Sequence, residues 1–247
     1  MAESGYSRVL LKLSGEALAG GGRFGIDIPT LTLVSEKIAA AHATCQQIAI
    51  VVGAGNFLRG ALVSQDEGGM QRATADYAGM LATIINSLAL QDSLERMGLS
   101  VRIQSALDIG RVAESYSRRQ ALAHLAEGRI VVFAAGTGNP YFTTDTAAAL
   151  RAIEIEAQAL LAVKNKVDGV YEADPAKEPG ARRFATLSYD DALSRRLKVM
   201  DSAAFSLCRE NNLPIVVFDL MAPESIARAV RGEKIGTLVS NTETALA

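Results

Sequence analysis

The sequence has only two histidines and two cysteines among its 247 residues. His42 and His124 are far apart and each lies in a helix-like stretch, so they form neither a zinc cluster nor a Ser/His/Asp triad. Cys45 and Cys208 are isolated, which predicts a reduced, cytoplasmic setting rather than a disulfide framework. Any chemistry of this chain must therefore depend on Lys, Arg, Asp and backbone amides.

Net charge and long apolar runs are lacking as well. The 25 Lys and Arg residues and the 27 Asp and Glu residues leave a formal charge of −2, which offers no electrostatic footprint for nucleic acid. No apolar run approaches the roughly 20 residues that span a bilayer, and the N-terminal residues form no apolar signal segment. We therefore expect neither a nucleic acid nor a membrane as a partner.

The composition is that of a globular protein, and strand-like segments alternate regularly with helix-like segments. Hydrophobic residues make up 49% of it, which suffices for one large core without disulfides or metals. Short runs of Val, Ile and Leu alternate with segments of helical period, which predicts a mostly parallel sheet covered by helices on both faces, in one domain over residues 1–247. The polar segment 165–196 is expected to be an irregular loop. Strands are predicted near 7–13, 47–52, 100–104, 129–134, 159–164, 214–218 and 236–239, and helices near 30–44, 72–97, 115–127, 144–157, 201–211 and 222–231.

Three of the predicted strands end in glycine turns. The turns are Ser14-Gly15, Gly53-Ala54-Gly55-Asn56 and Gly136-Thr137-Gly138-Asn139-Pro140. Because parallel strands end at one edge of the sheet, these turns bring backbone N–H groups and helix N-termini to the place where such folds bind phosphates. A single turn of this kind is often no more than a tight turn. Three of them, together with Lys12, Arg59 and the helix start at Thr143-Thr144-Asp145, indicate an anion site.

Lys12 is the most unusual of these residues because it interrupts the apolar run of the first strand. In one interpretation its stem packs and its ammonium reaches water. In the other the ammonium faces a bound anion, and the three turns favour this second interpretation. The sequence lacks the P-loop motif and the protein-kinase motifs. A site with several anion-binding turns therefore indicates phosphoryl transfer between two phosphorylated ligands, since that reaction needs alignment and positive charge.

Five blocks of the sequence resemble the bacterial uridylate kinases, a branch of the amino-acid kinase superfamily. They are LLKLSGEAL, VVGAGNFLRG, GTGNPYFTTDTAAALRAIEIEA, KVDGVYEADP and LKVMDSAAFSLCRENNLPIVVF, in this order. The resemblance implies a three-layer αβα sandwich of the amino-acid kinase fold. It also implies transfer of the ATP γ-phosphoryl group to UMP with Mg²⁺ present, a step of pyrimidine nucleotide biosynthesis that leads to UTP and CTP. The enzyme would be a cytoplasmic homohexamer.

The resemblance further implies roles for individual residues. The catalytic group would be Lys12, Arg59, Asp145 and Asp201, with Asp145 orienting Lys12, Asp201 helping with the metal or its waters, and no metal ligand assigned. ATP would be bound by Lys12, Leu13, Ser14, Gly15, Gly55, Arg59, Asn165, Tyr171 and Asp174. UMP would be bound by Ala54, Asp76, Thr137, Gly138, Asn139, Pro140, Tyr141, Phe142, Thr143 and Thr144. Asp76 would take the ribose; the alternative is an acid that interacts favourably with the dipole of helix 72–97.

Three positions depart from the pattern of that family. Ala54 replaces the middle glycine of a turn, Gln158 stands in place of an aspartate, and Gln91 stands where some relatives have an arginine used in GTP regulation. Activation by GTP and inhibition by UTP therefore stay open. We expect the long, rather apolar helix 72–97 to form part of the hexamer interface.

Two other functions remain as alternatives. One is another phosphotransferase of the same fold, of the carbamate or acetylglutamate type. The other is a non-catalytic protein that binds nucleotides or anions. Asp76 and the GTGNPYFTTD block favour the UMP kinase.

Overall fold

The computed structural model describes residues 5–22, 24–58, 69–165, 167–195, 197 and 200–247, which contain a ten-stranded sheet with helices on both faces. The strands are β1 Arg8–Leu13, β2 Gln47–Val52, β3 Val101–Ser105, β4 Glu114–Ser115, β5 Ile130–Ala134, β6 Ala159–Lys164, β7 Phe184–Ser188, β8 Ile215–Asp219, β9 Thr237–Ser240 and β10 Ala245–Leu246. The helices are α1 Ile28–His42, α2 Arg72–Arg96, α3 Arg118–Ala126, α4 Thr144–Glu154, α5 Tyr189–Ser194, α6 Ser202–Glu210 and α7 Ser225–Val230.

The strand order is β10-β7-β9-β8-β6-β1-β2-β5-β3-β4. Neighbouring strands are parallel except at the β8–β9 and β7–β10 pairs. The strand β1 lies between β6 and β2, and its apolar run is continuous because both of its faces are covered, as is usual in parallel sheets. The α/β fold with a mostly parallel sheet, predicted from the sequence, is confirmed.

The two faces of the sheet carry separate cores. Val9, Leu11 and Leu13 belong to the core that packs against α1, α2 and α7, whereas Leu10 belongs to the core that packs against α3, α4 and α6. Successive side chains of a strand point to opposite faces, so Lys12 lies on the same face as Leu10. This alternation directs the lysine toward α4.

The predicted strands and long helices are confirmed within a few residues at each end. The prediction of an irregular loop over 165–196 is wrong in its second half, where β7 and α5 form. In β7 the buried Phe184 and Leu187 are separated by two small residues, so the strand shows no clear alternation. The two-residue strands β4 and β10 are too short to show any period. Within the described residues, no helix is both long and apolar enough to cross a membrane.

Candidate active site

A cleft of about 610 Å³ opens at the carboxyl ends of β1, β2 and β5. Its lining includes Lys12, Gly55, Asp76, Thr137 and Asp145. The three predicted glycine turns follow the strands that end here, and α2 and α4 begin beside the same cleft. This is the position at which open α/β sheets bind their ligands.

Lys12 and Asp145 form an ion pair in the cleft. The Nζ atom of Lys12 lies 2.8 Å from Oδ1 of Asp145, and the two side chains are only 12% and 19% exposed. The ammonium therefore ends in a mostly buried ion pair and not in bulk water. Thr143, rather than Thr144 or Asp145, is the N-cap of α4, and its hydroxyl accepts from the N–H groups of Asp145 and Thr146. The carboxylate of Asp145 is thus available to Lys12.

A second lysine approaches the same place from the neighbouring strand. Lys164 ends β6, which pairs with β1. Burial, and to a lesser degree the positive charge of Lys12, lower the pKa of Lys164, whereas Asp145 acts in the opposite direction. Lys12, Lys164 and Asp145 therefore interact electrostatically at adjacent strand ends. Sequence reasoning missed Lys164, although it ends the apolar strand β6 at the same edge of the sheet as Lys12.

The first two glycine turns approach each other as closely as backbone allows. A Cβ atom on Gly15 would lie 2.6 Å from the carbonyl oxygen of Gly53 and 2.7 Å from the nitrogen of Gly55. Such distances leave no room for any side chain at position 15. Ala54, in the second turn, is not among the described residues with positive φ, so the turn does not require glycine at that position.

Buried polar groups of α2 hold these turns in place. The Nδ2 group of Asn86 donates to the carbonyl oxygen of Gly53 at 2.8 Å, and the amides of Asn86 and Asn56 bond reciprocally at 2.8 and 2.9 Å. The hydroxyl of Thr83 accepts from the N–H of Ala135 at 2.7 Å, where the third turn begins. Sequence reasoning missed Thr83 and Asn86, whereas Asn56 is part of the second predicted turn. The available signal was the run of polar residues Thr83, Asn86 and Ser87 within an otherwise apolar helix.

The third turn contains several residues in the left-handed region. Ala135 and Tyr141 have φ values of 60° and 73°, and Gly136 and Gly138 have 59° and 78°. Left-handed conformations of residues other than glycine are uncommon and often occur at ligand sites. The conformation of this loop is therefore specific, and neighbouring groups must maintain it.

Asp76 is held by two partners at the rim of the cleft. Both of its carboxylate oxygens accept from Nε of Arg72, at 2.9 and 2.8 Å. Its Oδ2 also accepts from the N–H of Tyr141 at 2.8 Å. The first turn of α2 contains no acidic residue, so Asp76 lies beyond the part of the helix where the dipole acts most strongly.

Asp201 and Gln158 have structural partners. Asp201 is the N-cap of α6; its carboxylate accepts from the N–H of Ala204 at 2.7 Å and from the hydroxyls of Thr143 and Thr146, the latter at 2.8 Å. It therefore ties α6 to the start of α4. The side-chain oxygen of Gln158 accepts from the N–H groups of Ser7 and Arg8, at the amino-terminal end of β1. That is the edge of the sheet opposite the cleft.

The remaining predicted residues are not all brought together. Asn165, Tyr171 and Asp174 follow β6 and are not among the described residues that line the cleft. The hydroxyl of Tyr171 donates to Asp168 at 2.6 Å, and this hydrogen bond raises the pKa of Tyr171. Arg59 lies outside the described residues.

The comparisons with known proteins agree in both sequence and fold. The amino acid kinase family matches residues 7–219. UMP kinase from Bacillus anthracis has a TM-score of 0.94 to this chain at 38% identity, covering 98% of this chain and 99% of that one. UMP kinase from Ureaplasma parvum has a TM-score of 0.88 at 36% identity, covering 95% and 98%. Uridylate kinase from Archaeoglobus fulgidus has a TM-score of 0.72 at 28% identity, covering 94% and 100%.

Proposed function

Since the chain belongs to the amino acid kinase family, we propose that it is a UMP kinase, which transfers the γ-phosphoryl group of ATP to UMP and releases ADP and UDP. The observation that carries the proposal is the ion pair of Lys12 and Asp145 at the meeting point of three glycine turns. The three UMP and uridylate kinases compared above match over nearly the whole length of the chain.

The reaction makes one bond and breaks one bond. An oxygen of the UMP phosphate attacks the γ-phosphorus of ATP, the bond from that phosphorus to the β,γ-bridging oxygen breaks, and ADP leaves. The transition state is metaphosphate-like and strongly anionic. Lys12, which Asp145 holds in place, would stabilise this charge, and Lys164 would contribute a second positive charge from the neighbouring strand end. The turns at Gly15 and Gly53–Gly55 would supply backbone N–H groups.

The two substrates would occupy different sides of these cations. UMP would lie in the cleft, with its ribose at Asp76 and its uracil against the Thr137–Thr144 segment, both of which border the cleft. ATP would extend toward Asn165, Tyr171 and Asp174, the residues that follow β6. In this arrangement the γ-phosphoryl group reaches the UMP phosphate next to Lys12.

Mg²⁺ would arrive with ATP. The described residues contain no group of three or more His, Cys, Asp or Glu side chains that could hold a metal ion. This agrees with Mg²⁺ chemistry, because the ion keeps waters and usually takes one or two carboxylates together with substrate phosphates. Asp145 and Asp201 are the carboxylates beside the cleft that could serve, and the ion would draw charge away from the transferring phosphoryl group.

We also propose that residues 1–247 form one kinase domain, that the enzyme is a cytoplasmic homohexamer, and that it is an allosteric enzyme for which GTP and UTP are the candidate effectors. An apolar stripe on α2 supports the interface, since Tyr77, Leu81, Ile85 and Leu88 are exposed at helical spacing. Analytical ultracentrifugation of the wild type and of Leu81→Glu tests the assembly. A monomeric wild type would contradict it. Initial rates with added GTP or UTP test the effectors.

The activity is tested by incubating the purified chain with Mg-ATP and a panel of acceptors, and measuring ADP. The acceptors are UMP, N-acetylglutamate and carbamate. We expect ADP formation to depend on UMP. Turnover of carbamate or acetylglutamate instead would favour another phosphotransferase of this fold, and nucleotide binding without any turnover would favour a non-catalytic protein.

A further inference from the structure

The helix α2 begins with a cation where a helix normally carries an acid. Arg72 is its first residue, the preceding Gln71 makes no side-chain cap hydrogen bond, and the first turn contains no acid. The positive end of the helix dipole disfavours a cation there. An ion pair four residues apart is also less stabilising when the cation comes first. The stability of α2 therefore does not explain Arg72.

The contacts of Arg72 connect two walls of the cleft. Its Nε lies 2.9 and 2.8 Å from the two oxygens of Asp76, whose side chain is 11% exposed. Its guanidinium lies over the ring of Tyr141, with Cζ 5.6 Å from the ring centroid. Tyr141 in turn donates its N–H to Asp76 at 2.8 Å. We call Arg72, Asp76 and Tyr141 the clasp.

The clasp holds a strained backbone. Tyr141 has a φ of 73° and a side chain that is mostly exposed. A bulky residue keeps such a conformation only where its surroundings determine it. Among the described residues, the hydrogen bond to Asp76 and the cation–π contact with Arg72 are contacts that help to maintain it. The position of the loop after β5 thus depends on Arg72 and Asp76.

The clasp also limits what Asp76 can accept from a ligand. A carboxylate offers about four acceptor sites. Arg72 occupies one acceptor site on Oδ1 and one on Oδ2, and the N–H of Tyr141 occupies the second acceptor site on Oδ2. Among the contacts of the described residues, the site that is left lies on Oδ1, which is enough for one hydroxyl donor. Arg72 also neutralises a carboxylate that would otherwise repel an anionic substrate.

We propose that Arg72 is a positioning residue for ribose recognition. It fixes the carboxylate of Asp76 so that Oδ1 accepts a hydrogen bond from the 2′-hydroxyl of UMP. Through Tyr141 it makes this contact part of the same unit as the loop that binds uracil. The inference rests on the proposed function, because it names the residue that sets ribose specificity in that site.

The test compares Arg72→Lys with the wild type. Lysine keeps the charge but loses the planar fork and the stacking. We expect the KM for UMP to rise about tenfold and kcat to change little, because the substitution loosens binding and does not alter the reacting groups. The preference for UMP over dUMP in kcat/KM should fall by about the same factor. The matched control is Arg96→Lys, in the Asp92–Arg96 pair at the other end of α2. This control should change neither the KM for UMP nor the preference for UMP over dUMP.

A second comparison separates positioning from helix stability. In an Asp76→Ala background, Arg72→Lys should have little further effect on the UMP/dUMP ratio, since residues that act as a unit are not additive. A lower melting temperature with an unchanged ratio in Arg72→Lys would overturn the proposal. So would a wild type that does not distinguish UMP from dUMP.

If the proposed function itself is wrong, the wild type will form no UMP-dependent ADP, an outcome that differs from every result described above for Arg72→Lys. In that case the dissociation constants of UMP and dUMP, measured by calorimetry, replace the kinetic ratio. Equal affinity of Arg72→Lys and wild type for both nucleotides would overturn the clasp as well.

Discussion

The turns at Gly15 and at residues 53–56, which form the floor of the cleft with Lys12, are held by fully buried amides. The loop after β5 that contains Tyr141 forms the rim, and it is held by the mostly buried Asp76 together with the partly exposed Arg72. At the floor, Asn86 and Asn56 are completely or almost completely buried, and their amides bond to each other and to Gly53. At the rim, Tyr141 is 67% exposed and its ring makes a cation–π contact with Arg72, which is itself partly exposed.

The difference matches two requirements of a phosphoryl-transfer site. Reacting groups must stay within a fraction of an ångström of their productive positions, since small displacements cost large factors in rate. A loop that closes over a nucleotide must instead open to admit and release it, so it belongs to the less stable part of the fold. Changes at the floor should therefore act on kcat or on stability, and changes at the rim on KM and specificity.

The largest effect is expected from Lys12→Met, at the centre of the floor. The positive charge matters most where the transition state is more anionic than the ground state, so kcat should fall about 100-fold or more while the affinity for UMP changes little. Initial rates and UMP binding by calorimetry measure the two quantities. The control is Lys234→Met, which removes an exposed lysine outside the described lining of the cleft.

A second variant sharpens this prediction. Asp145→Asn should show a related defect, and the double variant with Lys12→Met should be far from additive if the ion pair acts as a unit. A nearly normal kcat of Lys12→Met would mean that the lysine is a packing residue, and the division between floor and rim would fail.

The next largest effect is expected from Asn86→Ala. The change leaves the Asn56 amide and the Gly53 carbonyl without their buried partner, which costs about 3 kcal/mol, or a decrease in melting temperature of about 10 °C. The control is Asn211→Ala; Asn211 is exposed and bonds only to the carbonyl oxygen of Leu207 among its described side-chain contacts, so its loss should cost about 0.5 kcal/mol or less. Equal losses in the two variants would show that buried amides do not support the floor.

The residues that form the floor were easier to predict from the sequence than the residues of α2 that hold the floor in place. Parallel strands buried on both faces leave continuous apolar runs, and a lysine or a glycine turn at the end of such a run is visible at once, as at Lys12 and Gly15. Thr83 and Asn86 were not recognised, because a polar residue in a helix normally indicates a solvated face and only packing shows which face is covered. Arg72 was missed for the same reason.

A strand and a lysine were missed in the sequence for different reasons. The strand β7 was missed because its alternation is short and its neighbours are polar. Lys164 shows the same sequence pattern as Lys12, but no glycine turn follows it, and the functional interpretation depended on the turns. The assigned roles of the ATP and UMP residues stay predictions, since they depend on resemblance and on a cleft whose ligands are proposed.

The smallest effect concerns Lys164 and the pH dependence of stability. Burial and the charge of Lys12 lower the pKa of Lys164 below its ordinary value of 10.5. The unfolded chain therefore binds this proton more tightly than the folded protein does. Between the folded pKa and 10.5 the unfolded state carries more protons on this residue, and stability rises with pH in that range. Below the folded pKa the full penalty of the buried charge applies.

Lys164→Met removes this titration, so the comparison of the variant with the wild type isolates it. From pH 7 toward pH 10.5, the free energy of unfolding of the wild type should increase relative to that of Lys164→Met, by about 1 kcal/mol at most. Urea unfolding at several pH values measures the difference. A relative decrease with pH would mean that a partner favours charged Lys164 more strongly than burial and Lys12 oppose it.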